Sequence, residues 1–304
     1  MESRNCFCQI ITVLAVLAVL GMTAVPSVYG VDYFTEWFDA SDNDLDNLTV
    51  IFTPDGSASF YDACVEQAID FPTNPSGGIT LPLGDDDYEQ VWPTVPVPLY
   101  GSSYNTFYVG SNGYITFLWG DFNLSESFEY HFNQPRISAL FDDLNPGSGG
   151  WASWKELLDK VVVTFENVPE FGSSNSNSFQ IEMFFDGMIR ITWLGVDLTD
   201  ALAGLSEGYG VPPDFTESDL SEYGTCDPLQ ITPEEAFSSS GYEGGPFTPP
   251  SMSYTITNTG TSTQSWRAGI TNFWIGVIPN QGTIEPNDSN TVEVFITAEA
   301  NNLP

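Results

Sequence analysis

Positive charge is the scarcest property of this chain. Its 304 residues carry six lysines and arginines against 41 aspartates and glutamates, a formal charge of −35, and the only histidine is His131. Nucleic acid and anionic membrane surfaces are excluded as partners, because a phosphate-rich surface repels such a polyanion. A lone histidine leaves room for at most one histidine-dependent site. The short catalytic signatures are missing as well: there is no Gly-x-Ser-x-Gly elbow, no His-Glu-x-x-His and no phosphate loop. Among 41 acidic residues chance carboxylate pairs are certain, so a pair alone does not argue for glycoside hydrolysis. The plain reading of the acidity is solubility or adaptation to salt; the sharper one is cation binding.

Long apolar runs are also missing, apart from Ile10–Gly21, which is too short to span a bilayer. With Arg4 before it and Val28-Tyr29-Gly30 after it, this run reads as a secretory signal over residues 1–30, with the mature chain starting near Val31. No membrane span is expected in the mature chain, and the product is expected to be secreted or held at the cell surface. Cysteine is sparse: Cys6 and Cys8 lie in the signal segment, leaving Cys64 and Cys226. In an oxidising compartment that pair predicts a disulfide. Zinc is the weaker alternative, since two cysteines and His131 make a poor ligand set.

What the chain does have is β-sheet texture. Phe179, Ile181 and Met183 alternate with polar residues, as do Ile189, Ile191 and Trp193 beyond Asp186-Gly187. A two-residue loop would set Met183 opposite Arg190 and mix the faces. A three-residue loop of Phe185, Asp186 and Gly187 pairs Met183 with Ile189, Ile181 with Ile191 and Phe179 with Trp193, and sets Glu182 opposite Arg190. The same reasoning over Phe107–Phe117 gives a loop of Ser111, Asn112 and Gly113 that pairs Val109 with Ile115. Further strands are expected at Leu48–Phe52, Val95–Tyr100, Ile137–Phe141, Ala152–Lys155 and Val161–Phe165. Residues 119–134 read as a loop, and Ala201–Tyr223 as a Gly-rich acidic stretch.

Residues 229–246, rich in Ser and Gly, read as a linker. Beyond it, short strands at Ser253–Asn258, Gln264–Ala268, Trp274–Val277 and Thr291–Ile296 carry the spacing of a sandwich. About five strands fit before Pro304, so a seven-stranded sandwich would be incomplete and the chain is expected to continue. The fold class is therefore all-β: an antiparallel, β-sandwich-like N-terminal domain (31–228), the linker, and an incomplete Ig-like β-sandwich (247–304).

The hairpin at Ser111-Asn112-Gly113, the run PRISALFDDLNP from Pro135, VVVTFENV from Val161 and SFQIEMFFDGMIRITWL from Ser178 together resemble the nidogen-type extracellular domain over about 104–194. The resemblance implies a secreted, non-enzymatic adhesion or matrix module. Residues 31–228 also resemble, in overall texture, the front module of large secreted bacterial proteins, some of which carry protease domains. The stretch from Ser253 to Ile296 is similar to bacterial Ig-like repeats of the BACON type, for which carbohydrate binding has been proposed.

Asp42, Asp44 and Asp46 have the opening rhythm of a calcium loop. Asn47 and Thr53 stand where an EF-hand needs Gly and Glu, so an EF-hand is rejected. A different calcium site and a solvated acidic loop both remain. Asp142 and Asp143 end an apolar strand at a turn, where they either cap the turn or bind a cation. Trp151 and Trp154 offer a sugar-stacking surface or core packing. No catalytic residue is assigned. Calcium is the one candidate cofactor, and an extracellular protein or polysaccharide the expected partner class. The leading expectation is a non-catalytic extracellular interaction or adhesion module. Its alternatives are the accessory region of a larger secreted hydrolase, with catalysis beyond residue 304, and a calcium-dependent carbohydrate-binding protein.

Overall fold

The computed structural model describes residues 31–302, apart from 40, 227, 234, 243, 261, 262 and 271. The signal segment expected over residues 1–30 lies outside the described residues. The described chain falls into two compact units, 31–226 and 228–302. It is all-β, with every ladder between strands antiparallel.

The first unit is built on two large sheets. Among the described residues, one has six strands in the order Thr35–Asp39, Asp200–Ser206, Arg136–Phe141, Tyr114–Thr116, Phe107–Gly110 and Tyr88–Val91. The other has seven, in the order Tyr61–Gln67, Leu48–Pro54, Ile189–Gly195, Asn177–Phe184, Lys160–Val168, Trp151–Glu156 and Ile79–Leu81. A single apolar core draws on both sheets: Val109, Ile137 and Leu205 from the first, Val50, Ile181 and Ile191 from the second. Phe165 and Phe179 stack at 4.6 Å between centroids. Trp193, fully buried in the seven-stranded sheet, donates its Nε1–H to Ala139 O in the other sheet at 3.0 Å. Each large apolar side chain buried this way contributes about 1.5–3 kcal/mol.

The hairpin register is the one the hydrophobic pattern selects. Met183 faces Ile189, Ile181 faces Ile191, Phe179 faces Trp193 and Glu182 faces Arg190. Gly187 sits at φ +99°, a conformation that a side chain at this position would strain. In the other hairpin Val109 faces Ile115. Glu182 and Arg190 are on the outer face but not in solvent. The segment around Thr73 covers them, so that Glu182 is fully buried and holds Arg190, Lys160 and the Thr73 hydroxyl.

Three expectations need correction. Residues 119–134 are not all loop: Phe128–His131 forms one helical turn, because Ser127 Oγ caps the Tyr130 N–H at 3.1 Å. The stretch Ala201–Tyr223 opens with part of an inner strand, Asp200–Ser206, which lies between Thr35–Asp39 and Arg136–Phe141. Its Ala and Gly residues, which weaken a strand pattern, are what fit between two crowded neighbours. Residues 229–246 are not a free linker: Leu229–Thr232 pairs with Ser251–Asn258, and Ser240–Gly241 with Phe247–Thr248. Leu229 and Ile231 pack against the cluster of Ile256, Trp266, Ile284 and Val292, which draws the segment into the sheet.

The second unit is a four-stranded sheet (Leu229–Thr232, Ser251–Asn258, Ser289–Ile296, Ile275–Ile278) with the two-stranded pair Gln264–Arg267 and Gln281–Ile284 packed on it through Trp266 and Ile284. Cys64 and Cys226 form a disulfide across a sequence separation of 162. It fastens the last residues of the first unit to the edge strand Tyr61–Gln67, where Cys226 N also donates to Val65 O at 2.9 Å. No helix of the described residues is long and apolar enough to cross a membrane.

Candidate functional site

The strand Arg136–Phe141 runs through the middle of its sheet and ends at Asp142-Asp143-Leu144-Asn145. Several loops meet there. The Ser111–Gly113 loop packs directly on the strand end: Ala139 N and Leu140 N both donate to Gly113 O, and a Cβ on Gly113 would stand 1.8 Å from Leu140 O. Only glycine permits that approach. Ser111 and Asp87 exchange hydrogen bonds, Ser111 N to Asp87 O at 2.8 Å and Asp87 N to Ser111 Oγ at 2.9 Å, which brings up Asp85 and Asp86. From the other side Leu144 forms an isolated antiparallel bridge with Glu170. Asp200 begins the neighbouring strand of the sheet.

Two groups of carboxylates result. Asp142, Glu170 and Asp200 each bring an oxygen within 4.8 Å of the others, and so do Asp85, Asp86 and Asp143. Glu126 lies near the first group: burial chiefly, and then repulsion from Asp200, raises its carboxyl. Burial pushes the Asp142 carboxyl up to about 7; the Asp143 N–H works against it, and repulsion from Glu170, Glu126 and Asp200 adds smaller upward contributions. Asp143 is raised by burial and then by Asp86, Asp85 and Glu170.

No cation among the described residues of the first unit answers this charge: Arg136 pairs with Asp121, Lys160 and Arg190 pair with Glu182, and Lys155 donates to the carbonyls of Asn74 and Ser76. The turn also holds three buried oxygens without a hydrogen-bond partner, Asp142 Oδ2, Asp143 Oδ1 and Asn145 Oδ1. A raised carboxyl among acids resembles a general acid. Asp142 is only 5% exposed, however, and a proton donor must touch its substrate. The arrangement suits holding a cation.

The acidic run near the N-terminus is split up. Asp42 accepts from Asp39 N at 2.7 Å, and Asp46 accepts from Val196 N at 3.1 Å and from Asn47 Nδ2 at 2.9 Å. Asp44 instead lies with Glu36 and Asp219. Glu36, raised to about 7 chiefly by burial, accepts from Leu220 N, and Asp44 accepts from Ser221 Oγ. Asp42, Asp44 and Asp46 therefore do not converge as one ligand set. Trp151 and Trp154 do not share a face either. Three positions apart on one strand, they point oppositely, Trp151 half-exposed and bonded to Glu166, Trp154 packed on the core. Cys64 and Cys226 have their sulfurs in the disulfide, which removes the thiolates a zinc site would need.

A feature that sequence reasoning missed borders the acidic turn. The loop after Thr116 exposes Leu118, Trp119, Phe122 and Leu124, with Trp119 at 49% and Phe122 at 63%. Asn112 ties it to the acidic group by donating from Nδ2 both to Asn123 O and to Asp86 Oδ1, each at 3.0 Å. The run Leu118-Trp119-Gly120-Asp121-Phe122 was the available signal: large apolar residues with no strand or helix periodicity, inside a loop.

No protein-family model, no curated protein and no solved structure matches this chain.

Proposed function

We propose that the chain is a non-catalytic extracellular interaction module that adheres to an uncharged polysaccharide through the loop 118–124 and the rim of the acidic turn. The observation that carries this reading is the tie through Asn112, which joins Asp86 of the acidic turn to the loop that exposes Trp119 and Phe122. Aromatic faces and fixed hydrogen-bond acceptors are what a sugar ring with its hydroxyls requires. The charge of −35 works against acidic polymers and so favours a neutral one. A single exposed aromatic is unremarkable on a protein surface, but several on one loop mark an interaction site. The resemblances to nidogen-type and BACON-type modules and the N-terminal apolar run support the same reading, with export from the cell.

The test is retention on a panel of insoluble neutral and acidic polysaccharides, with reducing ends assayed in the supernatant. The reading expects retention on a neutral polymer without release of reducing ends, lost in the double variant Trp119→Ala, Phe122→Ala. Retention on none of the polymers, or release of sugar by the wild-type chain, contradicts it.

A further inference from the structure

Three acidic groupings occur among the described residues, and they differ in one respect. The Glu36–Asp44–Asp219 grouping contains no buried side-chain oxygen without a partner. The turn from Asp142 to Asn145 contains three such oxygens in four residues. Two of them belong to side chains more than nine-tenths buried, Asp142 at 5% exposure and Asn145 at 7%. Burying an unpaired polar atom costs about 1–3 kcal/mol, and more when it is charged, so three together on one turn point to a ligand that the turn is shaped to hold.

We propose that this turn is a calcium centre, in which Asp142, Glu170 and Asp200 hold one Ca²⁺ and Asp143 and Asn145 form the adjoining wall. The chemistry of the donors selects the ion. All are oxygens, drawn from three separate segments of the chain. The nearest alternatives for a softer metal are engaged elsewhere: His131 is buried against Thr35 and Ser138, and the cysteines are in the disulfide. Ca²⁺ takes about six to eight oxygen ligands in a flexible geometry, which suits carboxylates drawn from separate segments, whereas Mg²⁺ demands a near-ideal octahedron. Glu170 already orients both of its oxygens, Oε1 on the Thr199 hydroxyl at 2.8 Å and Oε2 on Asn175 Nδ2 at 2.9 Å, as outer hydrogen bonds do for a metal ligand. Neither bond uses up the oxygen's second lone pair. This proposal does not depend on the identity of the partner at loop 118–124.

Isothermal titration of the purified protein with CaCl₂, in 0.15 M NaCl with excess Mg²⁺, tests it. The salt and magnesium suppress diffuse attraction of cations to a polyanion. Expected is saturable binding with a Kd of about 10⁻⁴ M, within the range of extracellular calcium modules, weakened about tenfold or more by Asp142→Asn and by Glu170→Gln and unchanged by Asp44→Asn. Asp142→Asn keeps the shape and removes a repelled charge, so the variant folds, and a melting curve verifies it. Absence of saturable binding to the wild-type chain overturns the proposal. So does a folded Asp142→Asn variant with wild-type affinity, or an Asp44→Asn variant weakened as much as Asp142→Asn.

Discussion

Leu144 and Glu170 meet in an isolated antiparallel bridge, and through that bridge a glutamate from beyond the strand Lys160–Val168 arrives beside Asp142. Backbone hydrogen bonds on both sides, Asn145 N to Pro169 O at 2.9 Å and Phe171 N to Asp143 O, fix the approach. The carboxylates are thus held together by main chain, against their mutual repulsion.

That repulsion has a stability consequence. In chelator, Asp142→Asn is expected to stabilise the protein by about 1–3 kcal/mol, since it replaces a buried carboxylate crowded by other acids with a neutral amide. Calcium should then raise the melting temperature of the wild type and leave that of the variant nearly unchanged. Calorimetric melting of both proteins, with calcium and with chelator, checks this.

Glu182 is the opposite case, a buried carboxylate fully answered. Burial works to raise its pKa, but hydrogen bonds from Arg190, Lys160 and Thr73 outweigh it and the net shift is downward. Glu182→Ala leaves two cations without their partner under the Thr73 segment and should cost about 3–5 kcal/mol by denaturant unfolding.

His131 gives the chain an acid-sensitive point. Its ring is fully buried, between Thr35 Oγ1 at 3.3 Å and Ser138 Oγ at 3.0 Å. Burial first, then the nearby Arg136, lowers its pKa to about 3. The unfolded chain therefore takes up this proton before the folded one does. The resulting stability is fully present above the unfolded value of about 6.5 and is lost as pH falls from there toward 3. Relative to wild type, His131→Gln should have a stability less dependent on pH across this window, the difference reaching a few kcal/mol. Chemical denaturation at intervals between about pH 4 and 7, on both sides of the unfolded histidine value, measures it.

The Cys64–Cys226 disulfide closes a loop of 162 residues' separation, for which chain entropy gives about 5 kcal/mol. The double variant Cys64→Ser, Cys226→Ser should lose stability on that order, read from urea midpoints at unchanged slope.

Alternation of side chains was enough to read the two hairpins to the residue, because a one-step slip would have turned Ile181 and Ile191 to the wrong face. The disulfide was legible by elimination. Strand Asp200–Ser206 was not, since Ala201, Ala203 and Gly204 give a weak pattern whose meaning comes from close neighbours on both sides. At the acidic turn, Asp142 and Asp143 stood out where a strand stopped. Their partners Glu170, Asp200, Asp85 and Asp86 come from distant segments, joined by a bridge and a sheet register that no local spacing encodes. The rhythm of Asp42, Asp44 and Asp46 was local and misleading: each bonds to its own surroundings.

The most direct measurement is a crystal structure of the protein grown with calcium. The account predicts an ion at about 2.4 Å from oxygens of Asp142, Glu170 and Asp200, with loop 118–124 exposed beside it. An ion at Glu36, Asp44 and Asp219 instead, or a calcium-grown crystal whose Asp142 carboxylate faces only protein and water, would contradict it.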